Sequence, residues 1–271
     1  MRRFRLALIS FALATGLCVI MAACSGQPLI NLNQSVSPFE LSVNVLHHPT
    51  QNQDETYPDL TVPGGKAFAN NLGFEITLHE GTVSWQHLDL ISGGDDPECE
   101  SGYDQHYDLG ATDDLMGEDF LLSHLAHLGI ENRVYCQWEI TLGPEEDAHA
   151  LALQAHVEGD ALNGNLTDVH TDETFYFDGE WVMGLTSGTF TVSSHDEVVI
   201  NDVFKAIVSG IEEEHPLHLH EGETEVTAIF GINYDGLFED VDFELDSPAE
   251  IEAQILLNLE SLVHQHLGEH I

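Results

Sequence analysis

The sequence predicts a mainly β protein: an antiparallel β-sandwich with one amphipathic helix packed on it at the C-terminus. Three observations predict this. Apolar and polar residues alternate in many short segments, and Gly, Pro, Asn or Asp bound most of them. Helix-period stretches are few. The one clear example closes the chain.

Residues 1–23 read as a lipoprotein signal peptide. MRRFR gives a basic start and Leu6 to Ala22 is a nearly unbroken apolar run. Met21-Ala22-Ala23-Cys24 then resembles the lipobox of bacterial lipoproteins, in which the Cys is acylated and becomes the first mature residue. The alternative is an uncleaved anchor, for which the run is at the short end. Ser25 after the Cys points to outer-membrane sorting. The expected location is the bacterial cell envelope, lipid-anchored, facing the periplasm or the cell surface. Residues 24–38 are polar and suit a tether, so contact with the bilayer is expected through acylated Cys24 only.

Residues 39–271 read as a single domain. FELSVNVL (39–46) sets Phe39, Leu41, Val43 and Val45 on one face. The same alternation predicts strands at 74–78, 82–91, 135–142, 150–157, 174–177, 189–192, 226–234 and 238–245. Residues 118–128 (EDFLLSHLAHL) are ambiguous between helix and buried strand. Long loops are expected at 47–66 and 92–108, where function often resides. Ser247, Pro248 and Glu250 form a capping box with Pro at N1. Ile251, Ile255, Leu259, Leu262 and Val263 follow at helical steps, predicting a helix over 248–267.

Charge excludes several functions. Six Lys and Arg face 48 Asp and Glu, for a formal net charge of −42. Arg2, Arg3 and Arg5 belong to the export segment, so the domain keeps only Lys66, Arg133 and Lys205. Phosphate binding needs clustered cations, so nucleic acid is excluded as a partner. An anionic membrane surface would repel the chain. A hydrophobic fraction of 42% is enough for a packed core.

Cys99 and Cys136 remain once the export segment is set aside with Cys24. An even pair in an oxidising compartment reads as a disulfide, worth roughly 3–4 kcal/mol at this spacing. A two-thiolate metal site is the alternative.

No HExxH, GxSxG, GxGxxG, Walker or EF-hand motif occurs, and the chain is read as not an enzyme. An exported calcium-dependent hydrolase is the reading that this absence disfavours. The pairs Asp95-Asp96 and Asp113-Asp114 are read as solvated surface, with calcium ligation as the alternative.

Histidine carries the chemistry. The chain holds 17, and neutral imidazole is a preferred ligand of zinc and copper. On a strand, His218 and His220 would point to one side, about 7 Å apart, with Leu217 and Leu219 toward the core. Two exposed His on a half-buried strand is the plain alternative. His87 follows Trp85 by two and would share its face, while His106 sits in YDQHYD among acids near Cys99. The candidate metal ligands are therefore His218, His220, His106 and His87. His47-His48 form a further loop pair. His124 and His127 would chelate from a helix, and His266 and His270 would be an i, i+4 pair if the last helix persists.

Some of these features together resemble a known group. They are a strand ending near Cys99, a loop holding His106, Arg133-Val134-Tyr135-Cys136, and a strand running to Leu142-Gly143-Pro144. A YDG-x-F-x-x-VDF run (Tyr234 to Phe243) and a closing ILLNLESLVHQHL complete the order. Over residues 74–271 this resembles uncharacterised bacterial lipoproteins related to the methanobactin-cluster periplasmic copper-binding proteins. The resemblance implies a disulfide-bearing β-sandwich with a metal-handling role and matches His106 to a loop His of that group. Copper-binding members use a modified Trp and two His; Trp85, Trp138 and Trp181 are the tryptophans present here.

The expected function is an exported, lipid-anchored metal-binding protein that stores, delivers or buffers copper or zinc, with a metal transporter or redox protein as the expected partner. The alternative is a non-catalytic acidic β-sandwich that serves as a structural or interaction module in high salt.

Overall fold

A computed structural model describes residues 39–94, 99, 102–144, 149–162, 167–170, 173–177, 180–208, 211–218 and 223–268. All of them fall in the compact unit Pro38–Ile271. Cys24, the tether and the signal segment lie outside the described residues. No described helix is long and apolar enough to cross a membrane.

The protein is mainly β, with two sheets and a C-terminal helix. In chain order the strands begin with β1 (Phe39–His48), β2 (Thr61–Val62), β3 (Gly65–Ala69) and β4 (Glu75–Ile91). Next come β5 (Gln105–Asp114), β6 (Ser123–Ile130), β7 (Gln137–Leu142) and β8 (Leu151–Leu162). β9 (Thr167–His170), β10 (Glu173–Phe177), β11 (Glu180–Ser194) and β12 (Val198–Val203) follow. The last are β13 (Lys205–Val208), β14 (Ile211–Glu214), β15 (Glu225–Asn233), helix α1 (Pro248–Leu262) and β16 (Val263–Leu267).

The first sheet has six strands in the order β14-β13-β16-β15-β1-β6. The second has ten and follows β10-β11-β8-β4-β3-β2, with β5 and β7 also on β4, β12 on β7 and β9 on β11. Pairs β1–β15 and β13–β16 are parallel, and the other described pairings are antiparallel.

The core lies between the sheets. Leu41, Val43 and Val45 of β1 are fully buried, as alternation predicts, together with Phe230 and Ile232 of β15. From the other sheet come Trp85, Leu88 and Leu90 of β4, with Trp138, Ile140 and Leu142 of β7. The Phe230 ring lies 6.0 Å from Trp85 and 5.1 Å from Trp138, which joins the layers. Each such side chain contributes about 1.5–3 kcal/mol through burial. Cys99 and Cys136 form a disulfide across 37 positions, with their Cα atoms 6.0 Å apart. Their sulfurs are therefore not free for a thiolate metal site.

Four segments differ from the sequence reading. The helix is shorter than 248–267. Its capping box forms as expected: Glu250 N–H donates to Ser247 Oγ and Ser247 N–H to the Glu250 carboxylate. Ile251, Ile255 and Leu259 are buried. It stops at Leu262 because β-branched Val263 turns extended and VHQHL pairs with β15, from Ala228 to Ile232. That pairing satisfies backbone groups that β15 would otherwise leave open.

FEDVDFEL (238–245) is not a strand. Phe238, Val241 and Phe243 are all fully buried, but their spacing is not two-residue throughout. Side chains replace the ladder. The Asn70 amide donates to the Phe238 and Val241 carbonyls at 3.1 and 2.9 Å. The Asp242 carboxylate accepts from the Glu244 and Leu245 N–H groups at 2.9 and 3.0 Å. Finally, the predicted loop 92–108 gives way to β5 at Gln105, and the ambiguous 118–128 becomes loop followed by β6.

Candidate metal centre

The site is built by one β-bulge. On β4, Val83 and Trp85 point into the core, and strict alternation would send His87 there too. Instead the register slips between Trp85 and His87, where Gln86 is the extra residue. The parity of the strand inverts. Leu88 and Leu90 become core residues, and His87 and Asp89 turn to the other face. The expectation that Trp85 and His87 share a face is thereby corrected.

β5 completes the arrangement. Tyr107 and Leu109 lean on the core, so His106 and Asp108 alternate outward. The antiparallel register sets His87 opposite Asp108 and Asp89 opposite His106. Two cross-strand His/Asp pairs thus share one patch. His87 Nδ1 lies 3.0 Å from Asp108 Oδ1, and His106 Nε2 lies 3.5 Å from the same oxygen. One ligand atom each from His87, His106 and Asp108 falls within 4.8 Å of the others. The two imidazole rings are 4.8 Å apart.

Asp89 orients the cluster. Its Oδ1 is 2.8 Å from His106 Nδ1, so that nitrogen is the N–H donor, and in the neutral ring Nε2 is the nitrogen left to ligate. This hydrogen bond, with the Asp89 and Asp108 charges, holds the His106 imidazole above its ordinary protonation range. His87 Nδ1 is shielded from solvent yet makes no hydrogen bond of acceptable geometry, despite its nearness to Asp108. Nitrogen and carboxylate are side by side rather than aimed at each other. Two imidazole nitrogens, one carboxylate and open positions on the solvent side suit zinc or divalent copper better than calcium, which takes oxygen ligands.

Of the four expected ligands, His87 and His106 come together. His218 does not join them: its ring stacks on His215 at 5.6 Å, and Nδ1 donates to the Pro216 carbonyl at 3.0 Å. It lines a cleft of about 450 Å³ with His215, Glu223 and Glu225. Leu217 is buried and bridges Tyr135, as the inward half of the HxH pattern requires. His218 itself follows the strand-like bridge rather than lying within a strand. His220 and Leu219 lie outside the described residues.

The other histidines scatter by register. His47 turns inward to buried Asp113 at 3.3 Å, so Asp113 is no solvated surface acid. His48 faces the opposite way. His124 and His127 lie on β6, not on a helix, yet a bulge brings their rings to 4.2 Å. His270 and Asp95-Asp96 lie outside the described residues. Trp85 and Trp138 are both core residues, and Trp181 lies on β11 opposite Tyr176.

Asp108 and Asp89 went unread in the sequence. The usable signal was the alternation H-Y-D-L from His106 to Leu109, which marks a strand and places His106 and Asp108 on one side. Comparison with known proteins finds no matching family model, no matching curated protein and no matching solved structure.

Proposed function

We propose that the protein is an exported, lipid-anchored metal-binding protein that buffers or delivers zinc or copper. The convergence of His87, His106 and Asp108 on one patch carries this reading, with Asp89 behind His106. His106 and Asp108 are exposed, Asp108 most of all at 85%, while His87 is half-buried. Open coordination positions and exposed ligands favour exchange with a partner over permanent retention. No step of bond making is assigned to the site. The lipobox-like segment ending in Cys24 and the resemblance to copper-handling lipoproteins support the envelope location and the role. The acidic surface adds to the local concentration of cations.

The test is zinc and copper competition against a chromophoric chelator, using the full chain without a His tag. Sub-micromolar binding that falls by one ion per chain in H106A/D108A is the expected result. Binding that is absent, or indifferent to that double substitution, would refute the reading.

One observation favours the structural alternative. Each cation outside the export segment is already ion-paired: Lys66 with Asp119, Arg133 with Glu131, and Lys205 with Asp202 and Glu212. Three such cations against 48 acids leave most carboxylates without a Lys or Arg beside them, as in a salt-adapted display module. That module would be indifferent to chelators.

A further inference from the structure

The first sheet carries a second group of histidines on its outer face, separate in residues and in sheet from His87, His106 and Asp108. β1 ends in His47-His48, and alternation sends His48 to that face while His47 turns to Asp113. β16 contributes His264 and His266 two residues apart, with ring centres 5.4 Å apart. His48 Nε2 and His264 Nε2 are 3.4 Å apart.

Their tautomers follow from their other contacts. His48 Nδ1 is 2.8 Å from the Pro49 carbonyl, and His264 Nδ1 is 3.2 Å from the Leu262 carbonyl. A carbonyl only accepts, so both Nδ1 atoms carry the proton. In the neutral rings both Nε2 atoms then present lone pairs to each other. Such a contact needs a proton or a cation between the nitrogens. Burial opposes the proton. It lowers the His48 and His266 imidazoles and pushes His264 down to about 4, with neighbouring His adding to the shift of each. The charges that face the group from other elements are Glu212, Lys205, Asp235 and Asp119.

The geometry suits a metal. Two imidazole nitrogens on one tetrahedral zinc, at about 2.05 Å each, lie about 3.3 Å apart. Backbone carbonyls on both Nδ1–H groups are the outer shell that fixes metal-binding imidazoles. The surroundings are shaped to match. Gly231 pairs with His264 across β15 and β16, and a Cβ there would lie 2.2 Å from His264 Nε2. Phe120 stacks on His48 at 5.5 Å and 9°, and it does so with φ at 62°, a region that bulky residues avoid. Tyr57 closes edge-on at 5.5 Å from His48. His266 is 8% exposed, and its Nδ1 has no hydrogen-bond partner among the described residues.

We propose that the paired Nε2 atoms of His48 and His264 form a second, largely buried metal site with imidazole ligands, beside which His266 lies. Such a set selects a late first-row cation of the zinc or copper class over calcium or magnesium. This site stands whether or not His87, His106 and Asp108 bind metal.

The experiment titrates Co(II) into the full chain carrying H106A/D108A and reads the visible d–d bands, then adds Zn(II). The expected result is a single equivalent of Co(II) with the intense spectrum of a tetrahedral site, displaced by Zn(II). Adding H48A/H264A abolishes the spectrum. G231A, which keeps every imidazole but displaces the His264 ring, weakens binding at least about tenfold with an unchanged far-ultraviolet spectrum. No tetrahedral Co(II) in H106A/D108A would overturn the proposal. So would a spectrum that persists in folded H48A/H264A or is unaffected by G231A.

Discussion

What a histidine does here is decided by its neighbours in the strand register. Among 17 in the chain, His87 and His106 meet because a bulge and an antiparallel pairing set them side by side. Asp89 touches no other member of the triad directly; it holds His106 Nδ1 at 2.8 Å. D89N should therefore leave the fold intact while weakening zinc binding about 10–100-fold, measured by chelator competition. Unchanged affinity would remove Asp89 from the site. The residue types were legible in the sequence, but their partners were not. His87 was misplaced because Gln86 gives no sign of being a bulge residue. Asp108 was lost among 48 acids, none distinguishable until a strand was assigned there.

At the scale of elements, legibility followed the strength of the local pattern. β1, β8 and β15 were readable from alternation over many residues, and the N-terminus of α1 from its capping box. S247A should lower unfolding free energy by about 1 kcal/mol in denaturant titration, because it removes the acceptor for the Glu250 N–H. A change near zero would mean that the helix is held by Ile251, Ile255 and Leu259 alone. The unread elements share a cause. Residues 238–245 carry a β-like pattern, but Asn70, far away in sequence, supplies their backbone partners. VHQHL continues a helical pattern until β15 captures it. In both, long-range hydrogen bonding overrides local preference.

The whole molecule joins two acidic sheets over one aromatic-rich core. Burial raises the phenols of Tyr107, to about 12, and of Tyr135 and Tyr234 still further; nearby acids add to all three. A raised phenol contributes stability below the unfolded value near pH 10 and loses it as pH climbs toward the folded value. Spectrophotometric titration should therefore show these three of six tyrosines ionising only as the protein unfolds above about pH 10. Joint ionisation of all six in a folded chain would contradict that core. On the two proposals above, this acidic fold holds cations at two separate histidine sites. Zinc stoichiometry, by equilibrium dialysis of the full chain in high salt, tests it most directly. Two ions per wild-type chain, and one each in H106A/D108A and H48A/H264A, is the expected result. Zero ions in the wild type, or a count that neither double substitution changes, would contradict it.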